Sequence, residues 1–129
     1  MTAANDVVTK LAAGSVSDAA ARFVTILKAK NVTVFAVIDQ AAAARTAGLG
    51  LRDTTLVVFG NPAAGTPVMD AVPLAALDLP LKVLIWDDGG QTKVSYYSPE
   101  AIAGRYGLSA DLAARLAAVN PLTDALVSA

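Results

Sequence analysis

Asp87-Asp88-Gly89-Gly90 constrains the fold of this chain more than any other stretch. Two acidic residues followed by two glycines, set between apolar-rich runs, are a β-hairpin signal. The tight turns that match twisted strands need positive φ at their centre, and glycine adopts it freely. The flanking runs are Leu81 to Trp86, preceded by Leu79-Pro80, and Gln91 to Tyr97. A loop at Asp88-Gly89 sets Val83 opposite Val94, Leu81 opposite Tyr96 and Ile85 opposite Thr92, whereas a loop at Gly89-Gly90 shifts the partners by two residues and keeps the faces. One face then carries Leu81, Val83, Ile85, Val94 and Tyr96, and reads as core. The other carries Lys82, Leu84, Trp86, Lys93, Ser95 and Tyr97. It is half apolar and half cationic, which suits a subunit interface or a ligand wall, with Leu84, Trp86 and Tyr97 as the interface candidates.

The rest of the chain is read around that hairpin. Asp6 to Ala12 is a short edge strand. Ser15 with Asp18 has capping-box spacing, and Val16, Ala19, Ala20, Phe23, Ile26 and Leu27 keep helical periodicity up to Asn31. Val32 to Ile38 is apolar at nearly every position and predicts a central strand with both faces at least partly covered. Asp39 caps a short Ala-rich helix, Gln40 to Ala47, which ends at Gly48. Thr54 to Phe59 is a third strand. Beyond Gly60-Asn61-Pro62, an irregular helix spans Ala63 to Val72, with Pro67 in a first turn capped by Thr66. Ser98-Pro99-Glu100 starts a further helix that ends near Tyr106-Gly107. A last helix capped by Ser109 carries Leu112, Leu116 and Val119, and Pro121 marks a kink or break.

The order β-α-β-α-β-α-β-β-α-α does not alternate cleanly and contains an antiparallel hairpin. A single α+β domain over residues 1–129 is expected, with helices packed on one face of a largely antiparallel, two-layer sheet. A doubly wound parallel sheet is the alternative.

Composition narrows function by exclusion. There is no cysteine and no histidine among the 129 residues. Disulfides, thiolate catalysis, Ser-His-Asp triads and His- or Cys-ligated metals are therefore closed to this chain. Ten Lys and Arg against eleven Asp and Glu give a net charge of −1. The basic residues are scattered, so no nucleic-acid partner is expected, nor a polybasic membrane anchor. Met1 to Lys10 lacks the pattern of a signal peptide, and the longest uncharged run, Thr54 to Met69, is interrupted by glycine and proline. A cytoplasmic protein with no membrane association is the expectation. Hydrophobic residues make up 55% of the chain. On a domain this small some of them must face a partner, which argues for a homodimer.

Three groups of residues are candidates for chemistry. Gly60-Asn61-Pro62-x-x-Gly65-Thr66 could cradle an anion with backbone amides. It is no P-loop, because no Lys-Ser/Thr pair follows the glycines, and on residue types it reads more readily as a stiff strand-to-helix turn in which Asn61 bonds nearby backbone. Asp39, Asp87 and Asp88 at strand ends could bind a cation or act as bases, or serve as caps and turn residues. Tyr96, Tyr97 and Trp86 could stack on a flat ligand, or be core and interface.

Val34-Phe35-Ala36-x-Ile38-Asp39, Gly48-Leu49, Leu56-Val57-Val58-Phe59-Gly60-Asn61-Pro62-x-x-Gly65-Thr66, Val68-Met69, Leu77-x-Leu79-Pro80-Leu81-Lys82-Val83 and Tyr96-Tyr97-Ser98-Pro99 together resemble the bacterial and archaeal domain-of-unknown-function 302 family. The likeness covers about residues 15–125. It implies a compact α+β domain that tends to form homodimers, and no established activity, substrate or cofactor. Members often carry Asp-His where this chain has Asp39-Gln40. Gln40 keeps a hydrogen-bonding head without titration near neutrality, so any proton-transfer or metal role of that histidine is expected to be lacking here or performed differently.

The expected function is a non-catalytic homodimeric module that binds a small, anionic or aromatic ligand near the Phe59–Thr66 turn, with Asp39, Gln40, Asn61, Gly65, Thr66 and Tyr96 as candidate ligand contacts. No catalytic residue, metal or cofactor is assigned. A protein-interaction module using the Trp86/Tyr97 face is the alternative. An enzyme built on Asp39 with Tyr96 or Asn61 is less favoured, and requires those groups to converge in one pocket.

Overall fold

In the computed structural model, which describes residues 6–129, the chain runs β1 (Val7–Ala12), α1 (Val16–Ala29), β2 (Thr33–Asp39), α2 (Gln40–Thr46), β3 (Thr54–Gly60), α3 (Pro62–Ala71), a 3₁₀ helix (Pro73–Asp78), β4 (Leu81–Asp88), β5 (Gln91–Tyr97), α4 (Pro99–Tyr106), α5 (Ala110–Ala114) and α6 (Val119–Ser128). The strands form one sheet in the order β1-β5-β4-β3-β2, and every neighbouring pair is antiparallel. The architecture is the expected α+β one, and the antiparallel pairing excludes the doubly wound alternative.

The hairpin turns at Gly89-Gly90. Asp88 lies opposite Gln91 and Ile85 opposite Val94, so the second of the two expected registers holds and the faces are unchanged. Gly89 and Gly90 have φ of +59° and +98°, where a side chain would be strained. The Asp87 carboxylate accepts from the Gly90 amide at 3.0 Å, and Lys93 Nζ donates to Asp88 at 2.6 Å.

Side-chain caps start the helices where the sequence marks them. Ser15 accepts from the Asp18 amide, Asp39 from Ala42, Ser98 from Ala101 and Ser109 from Leu112. Two expectations need correction. β2 is an edge strand, not a central one: Phe35, Val37 and Ile38 are 52%, 49% and 43% exposed, and the β2–β3 register slips between Val34 and Ala36. In addition, α3 starts at Pro62 under an Asn61 cap, not under Thr66, and Pro67 lies inside it. The last helical stretch is broken as expected. The break precedes Pro121, which sits in the first turn of α6, where its missing N–H is harmless.

Two cores result. In the larger, α1 lays Phe23 and Leu27 on Val57, Phe59, Val83 and Ile85 of the sheet, and α6 adds Val119, Leu122 and Leu126. Phe23 meets Phe59 edge to face, with ring centres 5.4 Å apart. The smaller joins Val68 of α3, Ala75, Ile102 of α4 and Leu116. Leu81 packs against both.

Lys10 fastens α6 to the edge of the sheet. Its ammonium donates to Thr123 Oγ1 at 2.7 Å and to the Asn120 carbonyl at 3.2 Å, and pairs with Asp124 at 2.8 Å. The Tyr96 hydroxyl donates to Asn120 Oδ1 at 2.8 Å beside it. Burial pushes the Lys10 pKa down, but the neighbouring Asp124 and Tyr96 oxygens outweigh it and raise the pKa above the usual lysine value.

The second face of the sheet enters neither core. There Trp86 Nε1 donates to Ser95 Oγ at 3.0 Å, Ser95 Oγ shares a hydrogen bond with Thr9 at 2.9 Å, and Lys93 lies over the Trp86 ring. Leu84 and Trp86 are half-buried, while Val7, Leu11 and Tyr97 are exposed.

Candidate functional site

The turn after β3 is built by Asn61. Its side-chain oxygen accepts from the Ala63 amide at 3.0 Å, and its backbone carbonyl accepts from the amides of Ala64 and Gly65, each at 2.9 Å. Pro62 has no N–H. The first-turn donors of α3 are therefore engaged within the turn, and none is left to cradle an anion. Nor does Gly60 serve a left-handed backbone: it is absent from the positive-φ glycines, and a methyl group there would come within 3.5 Å of Pro80 and 3.6 Å of Phe35. Asn61 thus has the anchoring role the sequence suggests, and the turn is a stiff wall.

That wall bounds a cavity of about 560 Å³, which lies on the seam between the two cores. Phe59 and Leu122 reach it from the larger core and Leu116 from the smaller, while Leu81 packs on both. α3 supplies Ala64, Gly65, Thr66 and Met69, and the β4 approach supplies Leu79 and Pro80. α6 closes the far side with Pro121, Leu122 and Ala125. Lys30 and Arg115 are the charged residues of the lining, and no carboxylate is among it. Both are exposed, which places them at the mouth.

The structure sorts the candidate contacts into separate places. Asn61, Gly65 and Thr66 line this cavity. Asp39 lines a second hollow of about 450 Å³ with Arg45 and Asp53, between α1 and the end of the sheet. Gln40 is exposed and begins α2. Tyr96 is 5% exposed within the larger core, with its hydroxyl committed to Asn120. Asp39, Tyr96 and Asn61 are thus found in three places: Asn61 on the first cavity, Asp39 on the second and Tyr96 in the larger core. Among the described residues no three acidic groups gather in a way that could hold a metal ion. Leu84, Trp86 and Tyr97 are on the second sheet face, as the hairpin pattern placed them.

Sequence reasoning missed Lys30, Met69, Leu79, Pro80, Arg115 and the α6 residues as one wall. The elements that bring them together are far apart along the chain, and no local spacing marks them. It also missed Asp78, which binds the 3₁₀ helix to α4 through Arg105 Nη1 and the Tyr106 hydroxyl, both at 2.6 Å. Burial pushes the Asp78 carboxyl up, but the hydrogen bonds from Tyr106 and Arg105 and the charges of Arg105 and Lys82 hold it below the usual carboxylate range. Arg105 in turn lies 5.0 Å from the centre of the exposed Tyr97 ring.

Comparison with solved structures finds the same fold in the crystal structure of the uncharacterized conserved protein DUF302 from Bacillus stearothermophilus. The TM-score is 0.79 at 18% identity, over 95% of each chain. Among curated proteins, the Fluoride-specific ion channel FluC 1 of Brucella suis biovar 1 is 39% identical over 102 residues, and FluC 1 of Brucella abortus biovar 1 matches equally. These matches take in 77% of this chain but 40% and 38% of the two relatives, so the chain spans about two-fifths of the length of the curated proteins it resembles. Among the described residues no helix is long and apolar enough to cross a membrane. The model of the family described as "Domain of unknown function DUF302" matches residues 7–126, from the first strand to the last helix, and the chain belongs to that family.

Proposed function

We propose that this chain is a non-catalytic module that binds a small organic molecule in the cavity beside the Phe59–Thr66 turn. The observation that supports it most is the cavity itself. At about 560 Å³ it falls within the roughly 300–1,000 Å³ typical of small-molecule sites. It opens to solvent where the two cores meet, and its lining is predominantly apolar. Its lining includes no carboxylate, histidine or cysteine, and its charged members are a lysine and an arginine. Such walls bind and orient rather than move protons. A thermal-shift screen across metabolite classes tests this: molecules with an apolar body raise the unfolding midpoint, and Gly65→Leu, which fills the wall, abolishes the rise. No stabilisation by any class refutes the reading.

A second reading concerns the other sheet face, where Val7, Leu11 and Tyr97 are 40%, 59% and 44% exposed beside Leu84 and Trp86. We infer that this face docks a second copy of the chain. One patch can meet itself about a two-fold axis, and its mixed apolar and cationic character suits a buried centre with a polar rim. Light scattering on the purified chain then reports a dimer that Leu84→Glu dissociates, and a monomer at all concentrations refutes it. The channel names belong to longer proteins. On the present reading the part of them that this chain resembles is a ligand-binding or docking part.

A further inference from the structure

Resting on the ligand-binding reading, we propose that the occupant of the cavity is a free amphipathic anion: one carboxylate on an unbranched apolar tail, with its head between Lys30 and Arg115. Lys10, Arg52, Lys93 and Arg105 each pair with an aspartate; of the cations that enter no ion pair among the described residues, Lys30 and Arg115 are the two that line the cavity. These two cations line the same cavity, at its exposed rim, and no carboxylate lines it with them.

Their positions are fixed by the fold. Lys30 is the C-cap of α1. Asn31 follows at φ +58°, and the amides of Asn31 and Val32 bond back to the carbonyls of Lys28 and Leu27. This closed helix ending sets Lys30 at the rim and turns Val32 into the wall. Arg115 is the C-cap of α5, its amide bonded to the Leu112 carbonyl, and it stands next to the buried Leu116. Inward from both cations the walls are apolar: Phe59, Leu81, Leu116 and Leu122, with the adaptable Met69.

Two separate side-chain cations above an apolar interior match a singly charged head on a tail. A free phosphate could meet the two cations but would leave the apolar walls uncovered and would find the amides of the Asn61 turn already engaged. A neutral or cationic amphiphile would fill the interior equally well and leave the rim charges unanswered.

Titration calorimetry of the full chain with decanoate, decanol and decyltrimethylammonium, below their micelle-forming concentrations, tests the assignment. Transfer from water alone favours decanol, because its head costs less to desolvate. Decanoate is nevertheless expected to bind about tenfold more tightly than decanol, the size of a charge-assisted hydrogen bond at a partly exposed site, and the cationic amphiphile most weakly. Lys30→Gln with Arg115→Gln removes the decanoate preference and leaves decanol affinity unchanged, an outcome that a folding defect does not produce. Equal binding of decanoate and decanol by the native chain overturns the head-group assignment and leaves the cavity reading standing; the two cations then only complement helix ends. Absence of binding by all three overturns the amphiphile assignment, while the cavity reading itself falls only if the wider thermal-shift screen also finds no ligand. Sedimentation of the chain with phosphatidylglycerol vesicles would put the recognised anion in a bilayer and overturn the free-ligand assignment.

Discussion

Replacing Lys10 by methionine keeps the apolar stem that packs along β1 and removes the ammonium that holds α6. The bond at stake joins a side chain 19% exposed to Thr123 Oγ1, the Asn120 carbonyl and Asp124. Asp124 is 67% exposed, and an ion pair so open to water is worth only about 0–1 kcal/mol. The hydrogen bonds to the buried end are worth more, about 1.5–3 kcal/mol for a charged donor. Part of that loss is spared, because Thr123 Oγ1 keeps its own bond to the Val119 carbonyl at 2.8 Å. The expected loss is about 2 kcal/mol, and for a domain of this size the unfolding midpoint falls by about 6–10 °C. Circular dichroism melts at neutral pH measure it. The pH dependence adds a second readout. Because the folded-state pKa of Lys10 is raised, its stabilisation is fully present below the ordinary lysine value of about 10.4 and is lost as pH rises through the higher folded value. The gap between native chain and variant must therefore narrow in strong alkali. A loss under about 0.5 kcal/mol, within the range of ordinary surface changes, or a gap that stays constant through that window, refutes the argument that Lys10 secures α6 and with it one wall of the cavity.

Asn61→Ala removes the cap of α3 and costs about 1 kcal/mol, measured by urea denaturation, with weaker ligand binding because the cavity wall loses its anchor. Gly65→Ala has the opposite sign: the added methyl lies 3.9 Å from the flexible end of Met69, so α3 gains about 0.5–1 kcal/mol, and a loss instead would mean that Gly65 makes a close approach. Asp78→Asn flattens the acid limb of the stability curve. The native carboxyl has a depressed pKa, so its contribution is present above the ordinary value of about 3.9 and is lost as pH falls through the lower folded value; melts taken at descending pH resolve it. Gly90→Ala, at φ +98°, costs about 1–2 kcal/mol and is read by the same melts.

What was legible in the sequence was whatever depends on neighbours in the chain. Ser15, Asp39, Ser98 and Ser109 cap helices because the capping hydroxyl or carboxylate reaches an amide only three residues on. The glycine pair fixes the hairpin for the same reason. β2 misled because an unbroken apolar run signals burial on both faces, whereas position in the sheet is set by pairing with distant strands. Phe35 instead helps close the cavity at the sheet edge. Asn61, Gly65 and Thr66 were found because the turn itself is local. Lys30 and Arg115 escaped notice because nothing in an isolated helix end says which cavity it will border. Tyr96 was drawn to the site by its chemistry, and the fold assigns its hydroxyl to Asn120.

The strand order also sets a schedule for folding. β2, β3 and β4 pair with close neighbours in the chain, and β4 with β5 closes across two residues. β1 does not: Thr9 and Ser95, which share a hydrogen bond, are 86 positions apart, and Lys10 reaches Thr123 across 113. Contacts so distant pay their loop-closure entropy before they gain anything, and tend to form late. During synthesis the first strand therefore waits, unpaired, until the hairpin's second arm has emerged. It waits with Val7, Val8 and Leu11 uncovered, and Lys10 among them is the kind of charge that discourages an unpaired edge from joining a stranger's sheet. The residue that clamps the finished molecule is placed to guard the unfinished one.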